Sequence, residues 1–577
     1  MLPRFRWTTA AVDAALADRL TARFALARPV AALLGSRGHG DLLAAERFLD
    51  PRLQQLGDPL AFPGVADAAR RIWQAVDKHE AMVVFGDFDA DGVTATALLT
   101  DVIRQLGGQV DPFLPDRLTE GYGVTAAALT RCLREHPARL LITVDCGVNS
   151  VAEVAQAQAQ GVEVILTDHH EPGTDLPAAL ALINPRLGAT AGAEYLCGAG
   201  VAFKLAHALV KLGRLAKNPA AEAYDVRVWL DAVAVATVAD VVPLLGENRI
   251  LVAAGLAMLG KHPRMGLKAL AHRAGVQGQL TSHHLAFTFG PRLNAAGRMR
   301  TGWPALRLLH ATQWDDALQL AVELEGLNAE RRGVESRVLA EATAQLRQAT
   351  PAGAVVAAGT GWHVGTIGIV AARLTEAWNL PAAVIALAAD GSGRGSVRGG
   401  RGDNVVAALG TCAPLLTGFG GHPRAAGLQL KAGALPEFQR QFPAACAQQR
   451  DATDPRPELR VDGWLAPAEL DEALWASVQR LEPFGEGHAR PRWGMRGLRL
   501  ATRPSKVGGS GEHMRLECRA GNTTIRGIWF KMGHLTEAVS ALGAGALDAV
   551  FELHENHYNG QSTLEMQVQD LRPASEA

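Results

Sequence analysis

Four apolar runs along the chain each stop at a carboxylate: AMVVF before GDFDADG, LLITV before DCG, VEVIL before TDHH, and AVAVATVA before DVV. Runs of this length and composition, without polar alternation, predict buried strands or core elements. Between about residues 80 and 245 they alternate with helical stretches, the pattern of βαβ units and a mostly parallel sheet. One unit is well marked. After LLITVD, Ser150 and Glu153 have the spacing of a capping box, and Gly161 closes the helix before VEVIL. The first 45 residues, rich in Ala and Leu, predict a helical region leading into the sheet.

Between 305 and 348 apolar residues recur at Leu320, Leu324, Leu327, Val334, Val338 and Ala342. This predicts one long amphipathic helix, or two joined near Gly326 or Gly333. At about 1.5 Å per residue it would span on the order of 50 Å, enough to link two lobes. A second α/β segment is expected from 351 to about 450, beginning with the strand AVVAAG and ending in a helix over 434–450. The polar stretch DATDPRPELR marks a linker. Beyond it HMRLECR, TTIRGIWF and TLEMQVQDL alternate as strands do, Asn559-Gly560 is a hairpin signal, and a small β-barrel is expected.

The 577 residues allow about four domains. The opening MLPRFRWTTAA has no signal-peptide core, and no run reaches membrane-spanning length without a charge. A cytoplasmic protein with no membrane partner is therefore expected. Six scattered cysteines (132, 146, 197, 412, 446, 518) form no CxxC pair and read as free thiols. The net charge of −1 leaves no overall basic footprint for a polyanion. Arginine is clustered nonetheless: Arg292, Arg298, Arg300 and Arg307; Arg394, Arg398 and Arg401; and Arg490, Arg492, Arg496, Arg499 and Arg503 with Lys506. Each run alone fits a solvated surface, and glycine-rich turns beside them favour phosphate contact.

In an open parallel sheet the crevice beyond the carboxyl ends of the strands takes the ligand, so Asp87, Asp145, Asp168 and Asp240 can meet there. Carboxylates crowded at one edge repel one another and are costly to desolvate, which implies cations. Mixed carboxylate and imidazole donors suit manganese or magnesium, with zinc also open, and the absence of paired thiolates argues against structural zinc. Asp87-x-Asp89-x-Asp91-Gly92 matches half of an EF-hand loop, but Leu98 stands where the bidentate Glu belongs. Gly255 to Lys261 approaches a Walker A loop, but His262 replaces the magnesium-binding hydroxyl, and an ordinary helix end is the better reading.

GDFDADGVT, ITVDCG, TDHH and VADVVPL, followed in order by GPRLNAAGR, WHVGTIGIVAAR, GSGRGS and GGHPRAAG, resemble the motifs of the DHH phosphoesterase superfamily and, within it, of the RecJ single-stranded-DNA exonucleases. The resemblance covers nearly the whole chain. Val83 stands where the wider superfamily often has a His, which favours the RecJ branch. The resemblance implies that Asp87, Asp89, Asp145, His169 and Asp240 hold two divalent cations, Mn2+ or Mg2+, with Asp145 bridging, and that Asp91 orients its neighbours. It also places Asp89, Asp145, His170 and His422 at the chemistry. Arg292, Asn294, Arg298 and His422 are implied donors to the scissile phosphate. Arg117, Ser392 and Arg394 are implied as a 5′-phosphate pocket, and Tyr122 as a base-stacking residue. GSGRGS is otherwise readable as a flexible loop, and Ser396 in its third glycine position excludes a dinucleotide fingerprint.

The expected fold is therefore α/β: a DHH domain with a parallel sheet and a helical N-terminal region (1–310), a connecting helix (311–350), a second α/β domain of DHHA1 type (351–453), and an OB-fold barrel (454–577) that holds single strands. Trp493, Trp529 and Tyr558 are candidate stacking platforms in the barrel, and core packing is the alternative for each. The implied activity is 5′ to 3′ hydrolysis of single-stranded DNA to 5′-mononucleotides in recombination and repair. Implied partners are a single-strand-binding protein and a RecQ-type helicase, acting with a monomer. The alternatives are a phosphodiesterase for short oligonucleotides or nucleotide phosphates, and a catalytically inactive DNA-binding scaffold.

Overall fold

The strands Gln109–Phe113, Ala81–Phe85, Leu140–Val144, Glu163–Thr167 and Ala181–Ile183 lie side by side in that order, every pair parallel. The computed structural model describes residues 3–117, 119–347, 352–400, 402–449, 456–521, 523–542, 545–558 and 561–574. The sheet is the expected one, and its apolar strands are buried because helices cover it. Ser150 does not form the expected capping box; its hydroxyl donates to the carbonyl of Val124 instead. The Walker-like segment is the end of the helix Gly246–Lys261, with His262 after it.

AVAVATVA is not a strand. It is the helix Leu230–Ala239, apolar on every side and packed among the helices Ala90–Gln105, Gly198–Leu215 and Gly246–Lys261. A helix apolar all round can be buried all round, and its sequence then lacks the 3.6-residue period that would announce it. The second expectation about helices holds in its longer form: Trp314–Arg347 runs unbroken through Gly326 and Gly333. It leads to a five-stranded sheet ordered Leu416–His422, Ala425–Leu430, Gly393–Arg398, Ala382–Leu387, Val355–Thr360, antiparallel except for the last pair. These elements, residues 53–449 with 485–487, form one compact unit.

Residues 3–52, 456–484 and 488–574 form the other. Seven of its strands form one sheet in the order Gly463–Trp464, Arg492–Leu500, Leu547–Tyr558, Gln561–Pro573, Thr523–Trp529, His513–Ala520, Ser505–Val507, and pairing of Arg492–Leu500 with His513–Ala520 closes them into a barrel. Closure leaves no long sheet edge exposed. Trp493 and Trp529 are core residues rather than platforms, at 0% and 2% exposure. Asn559, Gly560 and the Tyr558 side chain lie outside the described residues, as do Arg401 and the first half of the linker.

Residues 3–52 belong here, not with the parallel sheet as expected. Arg6–Thr9 is a strand, paired in parallel with Glu458–Val461. Asp570 accepts from the backbone amides of Arg4 and Phe5 and from the Trp7 indole, and the helices Ala14–Phe24 and Arg28–Ser36 share a core with the barrel. A buried carboxylate needs such donors, and here they come from the far end of the chain. Four of the six members of the third basic run are engaged locally: Arg490 pairs with Glu482, Arg492 with Glu552 and Arg503 with Glu537, and Arg496 stacks on Trp464.

Candidate metal centre

Three neighbouring parallel strands end at one edge of the sheet, and each delivers a buried carboxylate: Asp87 after Ala81–Phe85, Asp145 after Leu140–Val144, Asp168 after Glu163–Thr167. Asp145 adopts a left-handed backbone with φ 61°, which Asp tolerates better than most residues. Gly198, at the start of its helix, passes so close that a Cβ there would lie 2.5 Å from Asp145 Cβ and Oδ1. The fourth carboxylate, Asp240, arrives from the C-terminus of the helix Leu230–Ala239.

His169 joins them. Its Nε2 stands 3.1 Å from Asp145 Oδ1, 3.5 Å from Asp240 Oδ2 and 3.7 Å from Asp91 Oδ2. Asp87, Asp89 and Asp145 bring one oxygen each within 4.8 Å of one another, as do donor atoms of Asp91, His169 and Asp240. Four of these atoms, Asp87 Oδ1, Asp145 Oδ1, His169 Nε2 and Asp240 Oδ2, are buried without a hydrogen-bond partner. Lone pairs facing lone pairs in a desolvated site are stable only around positive charge, and oxygen donors with one imidazole fit manganese or magnesium. The donor set thus fits a divalent metal centre.

Charge bears this out. Burial first, and then the neighbouring carboxylates, push Asp87, Asp145 and Asp240 well above the usual carboxylate range. Burial drives His169 down to about 3, so its ring is neutral, as a ligand must be.

Two further aspartates are already satisfied. Asp91 accepts from the amides of Gly198 at 2.6 Å and Ala199 at 2.9 Å, capping that helix, and burial and Asp89 lift it to about 6. Asp168 accepts from the amides of Val148, His169 and His170 and from His170 Nδ1 at 2.7 Å. Burial is the largest influence on Asp168 and would raise it, but the His170 contact and the backbone amides of Val148 and His170 together outweigh it and leave the carboxyl low. Asp89 is intermediate: its Oδ1 caps the helix Ala90–Gln105 through Asp91 and Gly92, leaving Oδ2 to the cluster. His170 Nε2 lies 2.8 Å from the Tyr122 hydroxyl.

Beside the cluster a cleft of about 840 Å³ separates the parallel-sheet domain from the second sheet. Asp87, Asp89, Arg117, Tyr122, Arg298 and Arg394 line it. Arg117 lies 4.9 Å over the Phe88 ring. Burial lowers Arg117, with Asp87 and Asp89 opposing, and brings Arg298 down to about 10, so both remain charged at neutral pH.

Not every residue the sequence picked out reaches this cleft. Ser392 does not line it; its hydroxyl and amide both donate to Asp390 in a surface turn. The serine of this motif that lines the cleft is Ser396, whose hydroxyl accepts from Arg398, and neither was singled out as a site residue. Strand alternation could have found them, since 394, 396 and 398 share one face of Gly393–Arg398. Arg292 is engaged by Glu325 at 2.5 Å and by the Thr288 carbonyl. Asn294 accepts from the Ala90 amide at 2.8 Å, steadying the aspartate loop. His422 ends the strand Leu416–His422, exposed, and near enough for its charge to weigh on His169. Phe88 and Phe419 are further cleft residues the sequence did not reveal.

Comparison with known proteins matches this geometry. Residues 81–237 match the DHH family N-terminal domain, 352–448 the DHHA1 domain and 461–570 the RecJ OB domain. The chain is 34% identical over 571 residues to the single-stranded-DNA-specific exonuclease RecJ of Bacillus subtilis, covering 98% of this chain and 71% of that one. It is 36% identical over 525 residues to the RecJ of Thermus thermophilus, covering 90% and 73%. The crystal structure of RecJ in complex with Mn2+ from Thermus thermophilus superimposes with a TM-score of 0.85 at 32% identity, over 100% of this chain and 81% of that one. The domain order, the clustered carboxylates and this end-to-end similarity together show that the chain belongs to the RecJ family of single-stranded-DNA-specific exonucleases.

Proposed function

We propose that this protein hydrolyses single-stranded DNA from the 5′ end, releasing 5′-mononucleotides, in recombination and in mismatch and excision repair. The observation that carries the reading is the convergence of four unpartnered buried atoms, from Asp87, Asp145, His169 and Asp240, beside an arginine-lined cleft. Asp87, Asp89, Asp145, His169 and Asp240 would hold two manganese or magnesium ions. Ions bound there would lower the pKa of a water and stabilise charge building on the phosphate.

The chain's own groups do the rest. Asp168 holds His170 through Nδ1, and Nε2, now 2.8 Å from the Tyr122 hydroxyl, would serve the phosphate being cut. Arg298 and His422 would donate to the oxygens that gain charge, where charge-assisted hydrogen bonds are strongest. Arg117, Arg394 and Ser396 would take the terminal 5′-phosphate, and Tyr122 would stack on a base. Arg292, engaged by Glu325, would brace the helix Gly290–Met299 instead of touching substrate.

The division of labour we propose assigns catalysis to residues 53–310, coupling to the helix Trp314–Arg347, end recognition to 352–449, and strand holding to the barrel with its N-terminal strand and helices. The protein would act as a cytoplasmic monomer beside a single-strand-binding protein and a RecQ-type helicase; among the described residues no helix is long and apolar enough to cross a membrane.

The test uses single strands labelled at the 5′ or the 3′ end, with Mn2+, Mg2+ or EDTA. Mononucleotide should appear first from the 5′ end, and EDTA or Asp145→Ala should abolish it. Release from the 3′ end first would overturn the pocket assignment. Activity confined to very short oligonucleotides would make the chain a small-substrate phosphodiesterase.

A further inference from the structure

A second, smaller pocket adjoins the metal cluster. It measures about 160 Å³ and is lined by Ala239, Gly290, Asn294, Arg298, Arg331 and Ile369, among others. Ala239, which lines it, ends the helix that Asp240 caps, so the pocket lies beside the residue next to that carboxylate. The only lining residue it shares with the large cleft is Arg298. Its volume equals about five waters at roughly 30 Å³ each, room for a phosphate group with residual solvent.

Arg331 projects from the long helix Trp314–Arg347. Two of its three nitrogens are engaged, Nη1 by Glu335 at 3.0 Å and Nη2 by Asn328 at 3.0 Å. Its Nε is buried and has no acceptor among the described residues. Glu335 also pairs with Arg373 at 2.8 Å, so the guanidinium is held in place by an already shared carboxylate. Arg298, across the pocket, makes one hydrogen bond, to the Gly365 carbonyl at 3.3 Å, and no ion pair among the described residues. Two arginines line one cavity whose lining includes no carboxylate, near enough for the charge of Arg331 to weigh on Arg298. Proteins bring like charges together in this way where an anion is to be bound.

We propose that this pocket binds the phosphate on the 3′ side of the one being cut, with Arg331 as its own donor and Arg298, which lines both the cleft and the pocket, shared with the phosphate being cut. This rests on the exonuclease reading above. On that reading a strand enters with its terminal phosphate near Arg117 and Arg394 and its scissile phosphate at the metals. The next phosphate must then lie beyond Arg298, and this pocket is what the fold provides there. Arg331 is thereby a substrate-positioning residue on the helix between the two domains. It would keep the strand in register after each nucleotide is released.

Substrate length makes the test, because a 5′-phosphorylated dinucleotide has a terminal and a scissile phosphate and no third. Steady-state hydrolysis by the full-length Arg331→Gln protein is compared with wild type on the dinucleotide and on a longer oligothymidylate. KM on the longer strand should rise about tenfold with kcat little changed, the loss of one charge-assisted contact. KM on the dinucleotide should not move. The slope of log KM against log salt should fall by about 0.7 for the longer strand alone. Equal losses on both substrates with an unchanged slope would show that Arg331 only braces the helix, and would overturn the proposal. No effect on either substrate overturns it as well. If Arg331→Gln melts well below wild type, Arg331→Lys is used; it retains charge and should show a smaller KM rise on the longer strand only, and any other pattern counts against the pocket. A wild-type protein that releases nothing from 5′ ends would instead sink the exonuclease reading, and this proposal with it.

Discussion

The carboxylate of Asp91 accepts the backbone amide of Gly198 at 2.6 Å, across 107 residues of sequence. With the companion bond to Ala199 it fastens the first turn of the helix Gly198–Leu215 to the loop that carries Asp87 and Asp89. Asp91→Asn should strand one of these buried amides. The expected cost is about 1–3 kcal/mol in urea unfolding with EDTA present. If like-charge repulsion governed this position, the neutral variant would be the more stable protein, and that outcome would sink the capping role.

Gly198 has a second, steric duty beside Asp145. A methyl group there would stand 2.5 Å from the Asp145 carboxylate. Gly198→Ala should displace that oxygen while leaving the sheet intact, and displacements near 1 Å can cost about 10²-fold in rate. Circular dichroism close to wild type together with kcat lowered about a hundredfold is the expected pair of results. A fully active variant would mean that the helix gives way at no cost to the site.

The raised carboxylates make metal-free stability depend on pH, and the sign can be worked out for Asp145. Its folded pKa lies above the unfolded 3.8, so between the two the folded state binds the extra proton, and stability falls as pH rises through that window. Asp145→Asn lacks this titration, and Asn also tolerates a left-handed backbone. In EDTA the stability of Asp145→Asn relative to wild type should therefore increase as pH is raised from about 4 towards neutrality. Burial already holds His169 at about 3, and removing the neighbouring Asp145 charge can only lower it further, so above pH about 4 its folded ring is neutral in both proteins and its contribution cancels. A difference that stays flat with pH would contradict the burial of Asp145. Saturating Mn2+ should reverse the ranking, because only the wild type keeps the full ligand set.

Two serines separate a chain-end pocket from a surface turn. Ser396 lines the cleft with Arg398, while Ser392 is bonded to Asp390. On strands with a 5′-phosphate, Ser396→Ala should raise KM about tenfold to a hundredfold, the range for one hydrogen bond to a charged group. Ser392→Ala should match wild type. The opposite ranking would restore the sequence-based assignment.

How much of this was legible depends on what each residue needed from distant chain. The parallel sheet and its acid-ended strands could be read because an apolar run and the carboxylate that ends it are neighbours in sequence. The helix Trp314–Arg347 could be read because its period is local. AVAVATVA could not, since a helix buried on all sides has no polar face to set a period. Nor could the place of residues 3–52, which depends on Asp570 accepting from Arg4, Phe5 and Trp7 across more than five hundred positions. Arg292 and Arg298 are six apart in one motif, yet Glu325 engages the first and the cleft receives the second.

By itself the sequence determined which chemistry was on offer: hard oxygen donors with one imidazole ligand, arginines beside glycine turns, and no thiolate pair. Tertiary structure decided which of those donors stay free. Asp87, Asp91, Asp145 and Asp168 are the same residue type at the same sheet edge. Asp91 and Asp168 meet backbone amides, from Gly198 and Ala199 and from Val148, His169 and His170, while Asp87 and Asp145 keep an oxygen with no partner. A carboxylate whose lone pairs are filled by amides positions its neighbours, and one left bare in a desolvated pocket requires a cation. That distinction is set by amides brought in from other turns of the fold, which no local pattern of residues encodes.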